Sequence, residues 1–315
     1  MNKSTVTKFI SNRNYFFNSD EGINVLSLFD GISCGQVALK KSGIKINTYL
    51  ASEIDEYAMK VTKTNHPDTI HIGDVTKVNG HELPRIDLLI GGSPCQSFSI
   101  SGDRTGFDGS SKLFWEYVRV LNEVKPTYFL LENVRMKKEW EDIITSTLGV
   151  EPVYIDSGLL TAQRRPRVYW CNFNITQPKN RGLLFKDIYI KDAIEFELSE
   201  QLKSRFKQFV PDNGSKVIIG STALDGKIGQ RDRVYGLNNK IPTLTATDYK
   251  QPKQVLVDGL LRKLTPVEFE RLQGLPDNYT SCLSNTQRYK TIGNGWTVDV
   301  IEHIFNCLLE TVTNK

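Results

Sequence analysis

Ile86-Asp87-Leu88-Leu89-Ile90-Gly91-Gly92-Ser93-Pro94-Cys95-Gln96-Ser97-Phe98-Ser99 is the stretch on which the reading of this chain turns. Residues 86–90 are an apolar run of strand length. Gly91 and Gly92 end it and let the backbone come close to a neighbour. Pro94 fixes its own backbone angle and biases Ser93 towards an extended conformation. Cys95 is thereby held just past a strand end, which is where α/β sheets bind their ligands. Residues 97–111 are rich in glycine and serine, show neither helical nor strand patterning, and read as a loop hinged beside a nucleophile. For an isolated cysteine the alternative is a buried structural thiol, so the rest of the chain has to decide.

Working outward towards the N-terminus, Ile23–Phe29 reads as a strand, Asp30–Gly35 as a tight turn and Gln36–Lys41 as a helix. This layout cradles a nucleotide-like ligand against backbone N–H groups, although Gly31 and Gly35 do not make the dinucleotide fingerprint. A second strand, Ile46–Ser52, ends in Glu53. An acidic residue about 20 positions after the glycine turn is where nucleotide folds bind ribose hydroxyls; the alternative for Glu53 is a carboxylate stabilising a helix start. A helix over Glu56–Asn65 and a short strand near Thr69–Ile72 lead to Gly73-Asp74-Val75.

Towards the C-terminus, Leu113–Val124 has helical apolar spacing, and Tyr128–Leu131 is a buried strand ending in Glu132-Asn133-Val134. At that strand end Glu132 would face the same crevice as Cys95, partly desolvated, as a general acid requires; the alternative is a salt-bridged structural carboxylate. A helix over Glu139–Leu148 and a strand Val153–Asp156 precede Gln163-Arg164-Arg165-Pro166-Arg167 and the strand Val168–Cys171. Three arginines beside such a crevice point to an anionic substrate or an oxygen-rich base. From Ile175 the α/β alternation fades into short strand-like pieces, Val217–Ile219, Ile241–Thr245 and Val255–Val257, which read as a smaller, mostly β module. Thr265-Pro266-Val267-Glu268 is a capping box with proline at the first helical position, and Gly274 ends that helix after Gln273. Ile292-Gly293-Asn294-Gly295-Trp296 reads as a second glycine turn before an amphipathic helix carrying Val298, Ile301, Phe305, Leu308 and Leu309 on one face.

Composition bounds these readings. The 315 residues suffice for one large α/β domain and a smaller one, and 39% apolar with 24% charged residues is globular. No apolar run is long enough to span a bilayer, and residues 1–21 lack a signal-peptide core. The five cysteines are widely spaced, and the four histidines show no metal-ligand spacing. A cytoplasmic protein with reduced thiols and no metal is expected. The net charge is +4, and its excess is local: residues 175–263 hold 16 basic against 10 acidic residues, the remainder 24 against 26. Such a region suits a polyanion, although solvated surface charge is the commoner reason for such runs.

With these pieces in order, the chain resembles the cytosine-C5 DNA methyltransferases. The likeness runs from Leu28 to Ile301, outside the middle module. It rests on Phe29-Asp30-Gly31, Glu53, Gly73-Asp74-Val75, Gly92-Ser93-Pro94-Cys95-Gln96, Glu132-Asn133-Val134, Gln163-Arg164-Arg165-Pro166-Arg167, Arg271-Leu272-Gln273-Gly274 and Gly293-Asn294. The stretches around Phe29 and Cys95 look most like the de novo branch of animals, whereas the compact length looks bacterial or phage-like. Two places depart from the family pattern: Ser33-Cys34 stands where adjacent glycines are usual, and Gly295-Trp296 where a small residue and valine are usual.

The resemblance implies a Rossmann-like S-adenosylmethionine-dependent methyltransferase sheet, formed by residues 1–174 and 261–315, and a target-recognition domain of residues 175–260. It implies that Cys95 attacks C6 of cytosine, that Glu132 engages N3 and the amino group, and that Arg165 and Arg167 lie near the base oxygen and a phosphate. For S-adenosylmethionine it implies Phe29, Asp30, Gly31 and Ile32 at the methionine end, Glu53 on the ribose, Ile54 against adenine, Asp74 and Val75 at its edge, and Pro94, Asn294 and Trp296 completing the pocket. For double-stranded DNA, Gln96, Ser97, Arg104 and Thr245 are expected contacts, with Arg231 and Arg233 as candidates for guanine edges and Lys250 and Lys253 for phosphates; solvated surface charge is the alternative for the last four. The chemistry needs these types: C5 of cytosine becomes enamine-like only once a thiolate has added to C6, and the base is out of reach unless flipped from the duplex. A monomer is expected, with S-adenosylhomocysteine as product and a cognate restriction endonuclease left open as a second partner. An RNA cytosine methyltransferase and an inactive DNA-binding homologue stay open as alternatives. The basic insert speaks against the first, and the joint presence of Cys95, Glu132, Arg165 and Arg167 against the second.

Overall fold

The computed structural model describes residues 22–94, 113–214, 216–224 and 227–313. Contacts divide the chain into two compact units, one of residues 1–155, 166–178 and 300–315, the other of residues 156–165 and 179–299. This division follows packing, and groups 156–165 and 261–299 with the middle module; the expected boundaries at 174/175 and 260/261 follow the fading α/β alternation.

In the first unit, the apolar runs alternate with helices. The elements are β1 (Ile23–Leu28), α1 (Cys34–Lys41), β2 (Ile46–Ser52), α2 (Glu56–Asn65), β3 (Ile70–His71), β4 (Leu88–Gly91), α3 (Leu113–Val124), β5 (Tyr128–Val134), α4 (Lys138–Leu148) and β6 (Val153–Asp156). After the two-residue strand β7 (Gln163–Arg164) of the second unit, β8 (Pro166–Cys171) returns to the sheet. The seven strands lie in the order β3-β2-β1-β4-β5-β8-β6. From β3 to β5 all pairings are parallel, and the inner strands β1 and β4 are buried on both faces and read as near-continuous apolar runs. Leu26, Leu28, Leu89, Leu131, Phe114, Tyr117 and Trp170 meet in the core.

Two features of this sheet position a site. Strand order reverses between β1 and β4, the switch point at which open α/β sheets bind ligands. The register also aligns Leu28 with Ser52 and Gly91, and Gly91 with Leu131. The residues that follow, Phe29, Glu53, Gly92 and Glu132, therefore stand level in the next row. Gly91 is needed for packing, because a Cβ there would sit 2.9 Å from the Tyr117 ring.

The reading of β5 is corrected on one point. Glu132 does not follow the strand but lies within it, because antiparallel β8 pairs with residues 130–134 and carries the ladder past the end of the parallel strands.

The second unit holds a small sheet of β9 (Lys207–Gln208), β10 (Ile218–Ser221), β11 (Arg233–Tyr235), β13 (Gln254–Val257) and β14 (Leu260–Lys263), ordered β14-β13-β11-β10-β9, while β12 (Ile241–Pro242) pairs with β7. It also contains the one-turn helix α5 (Glu200–Lys203), α6 (Pro266–Leu272) and α7 (Asn285–Asn294). α6 has the expected capping box, with Thr265 Oγ1 accepting the Glu268 N–H at 3.0 Å and Glu268 Oε2 accepting the Thr265 N–H at 2.7 Å. The expected glycine turn at 292–296 is a second correction: Ile292, Gly293 and Asn294 are the last turn of α7. This polar helix has no apolar stripe to announce it. It is fixed instead by Arg288 on Glu270 at 3.0 Å and by the Tyr289 hydroxyl on the Leu264 carbonyl at 2.7 Å. The last helix, α8 (Val298–Thr313), buries Val298, Ile301, Phe305 and Leu308 as its spacing requires. No helix among the described residues is long and apolar enough to cross a membrane.

Candidate active site

The loop after β1 is built on left-handed backbone: Phe29, Gly31 and Ser33 have φ of 58°, 58° and 56°. Glycine takes this conformation freely, whereas a bulky aromatic there stores strain of about 1–3 kcal/mol, the kind that collects at ligand sites. Ser33, in a position that would suit glycine, is held by a hydrogen bond from its Oγ to Asp30 Oδ2. Asp30 Oδ1 accepts the Tyr49 hydroxyl at 2.8 Å. Burial pushes the Asp30 carboxyl up to about 6, against the lowering effect of its hydroxyl donors, and the negative Glu53 adds to the rise.

Glu53 ties this loop to the end of β2. Its Oε2 accepts the Gly31 N–H at 2.8 Å, and its Oε1 accepts the N–H groups of Ile54 and Asp55, each at 2.8 Å. The helix-start role belongs to Asp55, which caps α2 by accepting from Tyr57 and Ala58. Beside Glu53, Ile54 is 70% exposed. Asp74 accepts the Thr76 N–H at 2.9 Å, and this bond holds its carboxyl below the usual range. Val75 and Ile32 are buried.

At the end of β4, Ser93 is buried and pinned to β5: Asn133 Nδ2 donates to its Oγ at 3.1 Å and to its carbonyl at 3.4 Å. This fixes the segment up to Pro94. On β5, Glu132 Oε1 accepts from Arg167 Nε at 2.9 Å, with both side chains largely buried. The β5–β8 register sets Glu132 opposite Tyr169 and Val134 opposite Arg167, so carboxylate and guanidinium are diagonal neighbours on one face. Cys95, Gln96, Ser97 and Arg104 lie outside the described residues.

A nucleotide-type loop after β1, a carboxylate at the end of β2, and a Glu–Arg pair level with the Gly92-Ser93-Pro94 segment are joined in one sheet. The model of the family described as C-5 cytosine-specific DNA methylase matches residues 23–145 and 158–310. The chain belongs to that family. Two bacterial relatives span nearly the same length. The Type II methyltransferase M1.ScrFI of Lactococcus lactis subsp. cremoris is 31% identical, over 91% of this chain and 78% of its own. The Type II methyltransferase M.HhaI of Haemophilus parahaemolyticus is 29% identical, over 90% of this chain and 93% of its own. The solved structure of the Entamoeba histolytica methyltransferase EhMeth superposes with a TM-score of 0.71 at 17% identity, covering 92% of this chain and 99% of that one, which shows the shared fold. This protein is a DNA cytosine methyltransferase.

In this methylase, Arg165 and Arg167 of the Gln163–Arg167 segment part company: Arg167 belongs to the first unit and Arg165 to the second. Arg165 is buried and donates to three backbone carbonyls: Leu244 at 2.6 Å, Gly293 at 3.2 Å and Gly295 at 3.0 Å. It braces the backbone on either side of Asn294, which is exposed, and ahead of Trp296, which is half-buried. Gln163 is a hub that sequence reasoning missed. It is fully buried, accepts the Leu244 N–H at 2.8 Å, and donates to the Leu272 carbonyl and Gln273 Oε1. Its partners lie 81 to 110 residues away, and no local pattern signals them.

Arg231 is exposed on a short turn whose backbone is clamped, its carbonyl accepting from Gln254 at 2.8 Å and Gln251 at 3.1 Å. Arg233 is half-buried at the start of β11, with Nε unpartnered. Thr245 and Lys250 are exposed, at the two ends of a 3-10 turn. Lys253 is drawn inward onto Asp248 at 3.0 Å. Among the described residues, no three His, Cys, Asp or Glu side chains are grouped to hold a metal ion.

Proposed function

We propose that this methylase transfers a methyl group from S-adenosylmethionine to C5 of a flipped-out cytosine in a specific duplex sequence, through a covalent bond between Cys95 and C6, in the cytoplasm. The observation that carries the reading is the Glu132–Arg167 pair, level in the sheet with the segment leading into Cys95. The thiolate of Cys95 adds to C6, and the electron pair displaced from the C5–C6 bond makes C5 nucleophilic. Glu132 stabilises the charge that develops at N3, and Arg167 holds Glu132 in position. Loss of the C5 proton and expulsion of the thiolate then restore the aromatic ring.

The residues present fit the cofactor. Ile54 offers an exposed apolar surface for adenine, Glu53 an acceptor for ribose hydroxyls, and the loop of Phe29, Asp30, Gly31 and Ile32 a backbone cradle, with Asp74, Val75 and Pro94 around it. Asn294 and Trp296 join this set on the family resemblance. When bound, S-adenosylmethionine supplies an electrophilic methyl group. DNA reading is assigned to residues 175–260, with Arg231 and Arg233 as base contacts, Thr245, Lys250 and Lys253 at the backbone, and Gln96, Ser97, Arg104 and Arg165 nearer the flipped base. Relatives named Type II methyltransferases make a cognate restriction endonuclease in the host the second partner to test.

Cys95→Ser is expected to abolish methyl transfer while leaving cofactor affinity within a few-fold. Retention of a few per cent of wild-type turnover by the serine variant would count against the covalent route. Duplexes carrying 5-fluorocytosine should trap a denaturant-stable adduct at the target.

A further inference from the structure

Beyond β5 the chain runs Arg135-Met136-Lys137-Lys138 into α4. Three cations in four residues at a helix start oppose the helix dipole, and Lys137, at the N-cap, makes no side-chain capping bond. Lys138 is compensated locally by Glu141 at 3.2 Å and Asp142 at 2.9 Å. Arg135 and Lys137 are exposed, and among the described residues neither has a carboxylate partner. Each stands over an aromatic ring instead, Arg135 at 5.5 Å from the Tyr154 centroid and Lys137 at 4.9 Å from that of Trp140. Tyr154 is anchored in turn, its hydroxyl donating to the buried carboxylate of Glu141. The aromatic rings thus hold both cations in place while their charged heads stay in water.

Their location gives this arrangement its meaning. Val134 is paired with Arg167 across the β5–β8 ladder, so Arg135 is the next residue beyond the Glu132–Arg167 pair. Arg135 and Lys137 therefore leave the ladder directly after the strand end that carries the Glu132–Arg167 pair. A phosphodiester chain suits such a pair of cations: arginine grips phosphate as a fork and lysine as a point charge.

We propose that Arg135 and Lys137 form a sequence-independent grip on the DNA backbone beside the target cytosine, supplied by the catalytic unit rather than by the recognition module. The proposal rests on the reading of Glu132 as the residue that engages the base.

The contact reads no bases, so a random duplex tests it. Dissociation constants for such a duplex are measured over a series of salt concentrations for wild type, Arg135→Gln, Lys137→Gln, the double variant and Arg135→Lys. Lys125→Gln, an exposed cation at the amino end of the same strand, is the charge control. Each lost phosphate contact should lower the log–log salt slope by about 0.9 and weaken binding about eightfold near 0.1 M salt. Arg135→Lys should keep the slope, and so should Lys125→Gln. Slopes equal to wild type in both single glutamine variants would overturn the proposal, as would an equal fall in Lys125→Gln. The singles are read separately, so a folding defect in the double variant does not decide the matter. Methyl transfer to mixed genomic DNA by the wild type is followed in parallel. Its absence defeats the proposed function, whereas intact transfer with unchanged slopes defeats only the backbone grip.

Discussion

The two units use carboxylates in opposite ways. In the first, Asp30, Glu53 and Glu132 stand where the parallel strands end, half-buried, and one of them is held in a setting that disfavours its charge. In the second, Glu268 and Glu270 are fully buried, each against an arginine: Glu268 on Arg262 at 2.7 Å and Glu270 on Arg288 at 3.0 Å. The difference follows from how much apolar surface each fold can bury. The seven-stranded sheet has a large apolar core, and these three acidic residues stand at its rim. The small sheet centres on Leu198, Ile219, Val234 and Leu261, the Arg262–Glu268 pair joins its strand β14 to α6, and the Arg288–Glu270 pair joins α7 to α6. Acidic residues should therefore govern stability in one unit and binding in the other.

The largest effect should come from the second unit. Glu268→Gln leaves the Arg262 guanidinium, itself fully buried, without its counter-charge, at an expected cost of about 3–5 kcal/mol. Calorimetric unfolding would register this as a lower melting temperature; a melting curve like that of the wild type would break the comparison.

Next, Glu53→Ala should weaken S-adenosylmethionine binding far more than it lowers stability, since each charge-assisted hydrogen bond to the ribose is worth about 1.5–3 kcal/mol. Unchanged affinity in titration calorimetry would reduce Glu53 to a tether for the Gly31 loop. The smallest effect concerns Asp30, whose folded-state value of about 6 lies above the ordinary 3.8. The folded protein thus favours the protonated carboxyl, so this residue's contribution to stability is greatest below about pH 4 and declines as pH rises through about 6. Asp30→Asn should remove that slope and raise stability at neutral pH by about 1–3 kcal/mol. Parallel stability curves for variant and wild type between those limits would show that the slope has another source.

The same contrast explains what could be read from the sequence. β2, α2 and α3 lie where their apolar spacing and capping residues set them, because a large apolar core enforces a simple period. The position of Glu53 beside the Gly31 loop was legible for the same reason, since a strand of ordinary length carries the chain there. α7 was not legible: besides Ile292 its buried residues are Arg288, Tyr289, Thr291 and Gly293, and one aliphatic residue sets no period. Nor did the sequence distinguish Arg165 from Arg167, two residues apart. One meets a carboxylate across a strand pair, while the other meets carbonyls 79 to 130 positions away.

At Gly293 the end of α7 lies so close to the segment after β12 that a Cβ would stand 2.4 Å from the Thr245 carbonyl. The two pieces of chain have in effect been moulded to each other, and Arg165 is moulded to both. In a gene remodelled by shuffling, a crossover at 174/175 would part Arg165 from Leu244, and one at 260/261 would part Thr245 from Gly293. A transplanted recognition segment that works at once would have to bring these partners with it. A segment cut from Gln163 to Gly295 would carry all of these partners together.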